Sequence, residues 1–158
     1  MKIGIQFTKN VEKYAKILQD IQSEIQTDQV LEFIHITDEE SLHQHLPKLD
    51  VLACYRMSPE SFTHISTSLH WIHFGAAGIE HSLFPELLKS DIAITNARGI
   101  HAGPVSEFVL GTILYFAKRF QDFQQFKTDQ QWKQWDIAKR MVQLSGKTAG
   151  IIGYGRIG

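Results

Sequence analysis

The chain has 158 residues, enough for one ordinary domain or two small ones, and hydrophobic residues at 43% with charged residues at 21% exclude a wholly disordered chain. Sixteen Lys and Arg against 17 Asp and Glu leave a net charge of -1, which offers no electrostatic footprint for nucleic acid or an anionic membrane. No apolar run reaches the roughly 18 residues of a membrane span, the N-terminal stretch is too short for a secretory leader, and the single cysteine, Cys54, excludes an internal disulfide framework and fits a reducing cytoplasm.

Lys2 to Phe7 alternates and is β-branched, which predicts a strand. Val11, Tyr14, Ala15, Leu18, Ile21 and Ile25 recur at helical spacing, with Thr8 or Asn10 available as the N-cap. Val30 to Ile36 reads as a second strand, and Asp38 to Leu46 as a short polar helix ended by Pro47. Asp50 to Tyr55 is a compact apolar run, read as a buried strand. Ser58-Pro59-Glu60 then opens a helix with a capping hydroxyl, a proline at the first position and an acid in the first turn. Trp71 to Phe74 is a further strand followed by Gly75-Ala76-Ala77-Gly78. Leu83 to Lys89 is a short helix, and Asp91 to Thr95 a fifth strand. This alternation predicts a parallel sheet with helices on both faces and right-handed crossovers.

Val105, Phe108, Val109, Thr112, Ile113, Phe116, Phe120 and Phe123 fall on one face of a single long helix that Gly103-Pro104 opens. Trp132 and Trp135 follow among Gln, Lys and Asp. They predict an arm that packs either within the chain or against another subunit. Gly146 to Gly153 reads as a turn and then a buried strand, which runs into Gly153-x-Gly155-x-x-Gly158. That spacing is the dinucleotide fingerprint. The first glycine permits the strand-to-helix turn, the second lets a pyrophosphate approach the backbone, and the third lets helix and strand pack closely. By itself the pattern also fits a structural glycine turn.

The histidines offer no metal site by spacing. His43 and His45 point apart on a helix, His70 and His73 point to opposite faces on a strand, and no Cys pair or HExxH accompanies them. Cys54 sits in an apolar strand and reads as an inert core residue.

Four blocks occur in the order and spacing of one family. They are Leu69-His-Trp-Ile-His-Phe-Gly-Ala-Ala-Gly-Ile-Glu80, Ile94-Thr-Asn-Ala-Arg-Gly-Ile-His101, Pro104-Val-Ser-Glu-Phe-Val-Leu-Gly111 and Leu144-Ser-Gly-Lys-Thr-Ala-Gly-Ile-Ile-Gly-Tyr-Gly-Arg-Ile-Gly158. Through them the sequence resembles the D-isomer-specific 2-hydroxyacid dehydrogenases over roughly residues 50 to 158. Residues 1 to 50 match only in their strand–helix rhythm.

The resemblance implies an α/β fold. Residues 1–100 form a flavodoxin-like substrate domain with a parallel sheet, and residues 101–158 begin a Rossmann-type NAD(P)-binding domain. It implies an NAD(P)-dependent oxidoreductase that interconverts 2-keto acids and D-2-hydroxy acids, of the glyoxylate or hydroxypyruvate reductase kind or the phosphoglycerate dehydrogenase kind. A corepressor branch of the same fold is a weaker alternative. Ala76, Ala77 and Gly78 match the family's substrate-carboxylate loop, whose small residues leave backbone N–H groups reachable by an anion. Arg56 and His101 fall where relatives place polar substrate contacts, although a surface arginine and a structural histidine explain them as well. Gly153, Tyr154, Gly155, Arg156, Ile157 and Gly158 match the cofactor loop, and Val105 faces the nicotinamide or packs in the core.

The family's catalytic Arg, Glu and His follow the glycine motif, so no catalytic residue and no metal ligand is assigned here. The expected partners are a small 2-keto or 2-hydroxy acid and a second copy of the chain, met through residues 102–135. The expected location is cytoplasmic. Because the sequence stops at the third glycine, the expectation is a truncated chain: a substrate domain, a crossing helix and the first strand of a second domain. As it stands such a chain is expected to be catalytically inert. Residues from about 120 onward are expected to be poorly packed or held by a partner copy.

Overall fold

A computed structural model describes all 158 residues, which divide into two compact units, Met1–Arg98 and Gly99–Gly158. The first unit carries five strands: β1 (Lys2–Gln6), β2 (Glu32–His35), β3 (Val51–Cys54), β4 (Trp71–Phe74) and β5 (Ala93–Asn96). All neighbours pair in parallel, in the order β2-β1-β3-β4-β5. Between the strands lie α1 (Val11–Glu24), α2 (Glu39–His45), α3 (Pro59–Phe62) and α4 (Pro85–Leu88). The expected α/β alternation is therefore present in full.

Side-chain caps fix where these helices start. Asn10 is the cap of α1, accepting from the Lys13 N–H at 2.8 Å, while Thr8 accepts from Asn10 itself. Asp38 and Ser58 cap α2 and α3 through the Ser41 and Ser61 N–H groups. Pro47 does not stop the chain abruptly. The backbone tightens into a 3-10 turn at Leu46–Lys48, where proline's missing N–H falls among groups that need no partner.

Residue alternation along the strands sorts the sheet into two faces. Leu52, Cys54, Ile72 and Phe74 point to one face, where they pack with Ile36, Leu42, Leu46, Leu49 and Leu87 from the helical side. On the other face Tyr14 of α1 stacks on His35, with ring centroids 4.0 Å apart. Helices thus cover both faces, as parallel sheets require, but unequally. On β4 and β5 the second face stays open: Trp71 is 40% exposed and donates its indole N–H to the Thr95 hydroxyl at 2.8 Å. His73 Nδ1 meets the same hydroxyl at 2.9 Å.

The second unit holds α5 (Ala102–Ala117), α6 (Phe120–Asp129) and α7 (Gln134–Ala138). The single long helix expected through Phe123 is instead two helices, because Arg119 adopts a left-handed conformation (φ 59°) and starts a new one. The break is held by charge. Asp122 accepts from Arg119 Nε at 2.9 Å and lies 3.1 Å from Arg140 Nη2. The Val142 N–H donates to the Ala117 carbonyl at 2.8 Å. α5 buries none of its residues although it is apolar nearly all round. Its Ser106 and Thr112 hydroxyls turn back onto carbonyls four residues earlier.

The expected poor packing from residue 120 onward holds only in part, since α6 and α7 form and Ile137 is fully buried. The expected buried strand at 148–153 does not form. No strand lies beside it to complete a ladder, and Ile151 and Ile152 are exposed. No helix of the chain is long and apolar enough to cross a membrane.

Candidate functional site

The loop after β4 is built to leave donors free. The Gly75 N–H continues the ladder onto the Cys54 carbonyl at 2.9 Å. A Cβ on Gly75 would sit 2.7 Å from the Phe7 ring and 3.0 Å from the Tyr55 ring, so only glycine lets the chain pass beneath this aromatic pair. The next carbonyls are tied down: Ala97 N–H donates to Ala76 O at 3.2 Å, and the Asn96 side-chain amide donates to Ala77 O at 2.7 Å. With the carbonyls held, the N–H groups of Ala76, Ala77 and Gly78 have no acceptor within the protein. Unpaired N–H groups on small residues can donate to an anion. Glu80 leans back over it, its Oε2 being 3.1 Å from where a Gly78 Cβ would stand.

Arg56 leads from β3 into α3 on the same carboxyl edge of the sheet. It is exposed and enters no ion pair. Its backbone N–H faces Cys54, but burial is the larger influence and pushes that thiol up to about 12. Cys54 is accordingly a protonated, enclosed thiol with no nucleophilic character. A cavity of about 690 Å³ opens beside Arg56, lined by the carboxyl ends of β1, β2 and β3 together with His81. This is where the strand order reverses, between β1 and β3, and ligands of open α/β sheets bind outside such a reversal.

Ser58 and Ser61 line the cavity and join a polar network behind it. Buried Ser61 receives the Ser58 hydroxyl at 2.9 Å and meets His43 Nε2 at 3.0 Å. The His43 ring stacks on His64 at 4.4 Å. At the opposite lip the Ser41 N–H, the Thr37 hydroxyl and, to a smaller extent, the charge of Lys9 hold the Asp38 carboxyl below the usual carboxylate range. Sequence reasoning passed over Lys9, Asn96 and this Ser–His network. Asn96 directly after an alternating strand run was the one local signal, since an amide there can brace a neighbouring loop.

The remaining sequence-predicted residues lie in the second unit. His101 precedes the first turn of α5 and is exposed, and the Val105 N–H donates to the His101 carbonyl at 3.0 Å. Gly153 holds φ +90°, and a Cβ on Gly158 would run into the Gly153 carbonyl oxygen, so the backbone path demands the first and third glycines. At Gly155 a Cβ would meet nothing within 4 Å, which leaves that approach open. Tyr154 and Ile157 are exposed, and the Arg156 side chain lies against Gly99. The structure thus brings Ala76, Ala77, Gly78 and Arg56 to one edge. It groups His101 with Val105, and the glycine loop is continuous but stands outside any strand or helix.

Residues 110–158 match the sequence pattern of the NAD binding domain of D-isomer specific 2-hydroxyacid dehydrogenases. A glyoxylate reductase of Thermofilum pendens is 34% identical over 85 residues, which cover 52% of this chain and 25% of that protein. A glyoxylate reductase of Thermococcus litoralis is 25% identical over 130 residues, 78% of this chain and 33% of that protein. In these stretches the chain is similar to D-isomer-specific 2-hydroxyacid dehydrogenases. The D-lactate dehydrogenase of Aquifex aeolicus, solved with NAD and lactic acid, shares its fold with a TM-score of 0.66 at 20% identity over 99% of this chain and 45% of that one. The chain matches a quarter to a third of the length of these two curated relatives and under half of the solved one.

Proposed function

We propose that the chain provides the substrate domain and the opening of the cofactor domain of an NAD(P)-dependent D-2-hydroxyacid dehydrogenase acting on 2-keto acids. The observation that supports this reading is the row of unpaired N–H groups at Ala76, Ala77 and Gly78, which can donate to a carboxylate. Arg56 lies on the same edge and supplies a cation for the substrate's polar end. Within the second unit, the N–H groups of Gly153–Gly158 are the donors for a pyrophosphate, with Gly155 giving close approach. The nicotinamide, when bound, supplies or accepts hydride. Val105 and His101 would face that reaction from the start of α5, and no residue of this chain is assigned the proton transfer. The exposed apolar surface of α5 and the exposed Trp132 and Trp135 support self-association through residues 102–135.

Titrating isotope-labelled chain with glyoxylate, pyruvate and oxalate tests the carboxylate site. The backbone N–H resonances of residues 76–78 should shift together, and Ala77→Pro, which deletes one donor, should weaken binding. Unchanged resonances at all three positions would remove the basis of the reading.

A second reading applies to the isolated 158-residue chain: it binds carboxylates without transferring hydride. It is supported by the glycine loop standing free of any strand or helix. Sustained oxidation of NADH or NADPH by this chain with glyoxylate or hydroxypyruvate would refute it.

A further inference from the structure

The cavity of about 690 Å³ at the carboxyl ends of β1, β2 and β3 lies within the usual size of small-molecule sites, roughly 300–1,000 Å³. It is far larger than a glyoxylate or pyruvate needs. Two cations border it from different strands, Lys9 after β1 and Arg56 after β3, and neither enters an ion pair. Of the two acids at its rim, Asp38 is committed to capping α2, with Oδ1 on the Ser41 N–H at 2.8 Å and Oδ2 on the Thr37 hydroxyl at 3.0 Å. Glu39 lies exposed in the first turn of α2. The Phe7 and Tyr55 rings, 5.0 Å apart, border the cavity and lie directly over Gly75, the residue that leads into the Ala76–Gly78 loop. Carboxylate loop and cavity are therefore neighbours across one aromatic pair.

Resting on the substrate-carboxylate reading above, we propose that this cavity receives the 2-substituent of the substrate and that Lys9 and Arg56 together hold a second oxyanion at its far end. The substrate class is then a 2-keto acid with a terminal carboxylate or phosphate-like group. The first carboxylate lies on the N–H groups of residues 76–78, the chain of carbons passes the Phe7–Tyr55 rings, and the terminal anion meets two cations from neighbouring strands. Lys9 becomes a specificity-determining residue, and it has no part in holding the first carboxylate.

The experiment compares dissociation constants of the 158-residue chain for 2-ketoglutarate, 2-ketoadipate, 2-oxo-4-phosphonobutanoate and 2-oxopentanoate, which lacks the terminal charge. At least one anion-ended acid should bind about tenfold or more tightly than 2-oxopentanoate, as expected of a charge-assisted contact. Preference for the phosphonate over the dicarboxylates would identify the phosphate-like source, and the reverse the carboxylate. Lys9→Gln should abolish most of the preference, and the N–H resonances of Thr8, Lys9 and Arg56 should shift only with the anion-ended ligands. Equal affinity for 2-ketoglutarate, 2-ketoadipate, the phosphonate and 2-oxopentanoate overturns the proposal and leaves the carboxylate loop standing. Failure of every 2-keto acid to bind overturns the loop reading, and this proposal with it. A preference that survives Lys9→Gln intact also overturns it.

Discussion

Residues Met1–Arg98 and Gly99–Gly158 draw on the same kinds of apolar side chain and bury them very differently. Of fourteen buried hydrophobic residues thirteen lie in the first region, and Ile137 is the exception in the second. In the first, each strand finds its ladder in another strand of the same region, and α2 and α4 bury Leu42 and Leu87 in the core on the sheet. In the second, α5 is apolar nearly all round, and Phe108 at 75% and Phe116 at 60% exposure show how little of that surface the region covers itself. Secondary structure can thus form where packing is thin, as α5 does, and fail where a ladder is missing, as residues 148–153 do.

Substitutions test how unequally the two regions are buried. Phe74→Ala empties a fully buried position in the sheet's main core and should cost about 3–5 kcal/mol in urea unfolding. A loss under 1 kcal/mol would mean that the first region is far looser than its packing implies.

Alkali should act next, also on the first region alone. The folded Cys54 thiol, at about 12, lies above its ordinary value of 9.0, so the folded state keeps a proton that the unfolded thiol releases. Stability is intact below about pH 9 and should fall by up to roughly 1.4 kcal/mol per pH unit until about pH 12. Cys54→Ser should flatten that slope. Iodoacetamide at pH 8 should leave Cys54 unmodified until the first region is unfolded.

Ser58→Ala removes the cap of α3 and one member of the Ser61–His43 network, for about 1 kcal/mol. Phe108→Ala should change the unfolding free energy of the isolated chain in urea by less than about 0.5 kcal/mol, since that ring is already in water. A large effect there would reveal a partner surface on α5, which sedimentation at rising concentration would detect.

Short apolar runs bounded by turn residues made all five paired strands legible, because each run carried both its period and its punctuation. The cap of α3 was legible for the same reason, as Ser58-Pro59-Glu60 is a local signal. The break at Arg119 was hidden: the spacing of Phe116, Phe120 and Phe123 continues across it, and no glycine or proline marks the left-handed residue. The run at 148–153 has a strand's composition, but a strand depends on its neighbour. At the site, small residues announced the loop at 76–78. The juxtaposition of Lys9 with Arg56 and the His43–His64 stack arise from parallel crossovers, which join residues that share no local pattern.

The Trp71 bond to Thr95 gives each region its own light. Of the chain's three tryptophans, Trp71 belongs to the sheet, and Trp132 and Trp135 stand at 82% and 73% exposure beyond Gly99. With Trp132→Phe and Trp135→Phe in place, all indole emission comes from a ring hydrogen-bonded across β4 and β5. Its wavelength would then follow the parting of those two strands, while the helices after Gly99 melt in the dark.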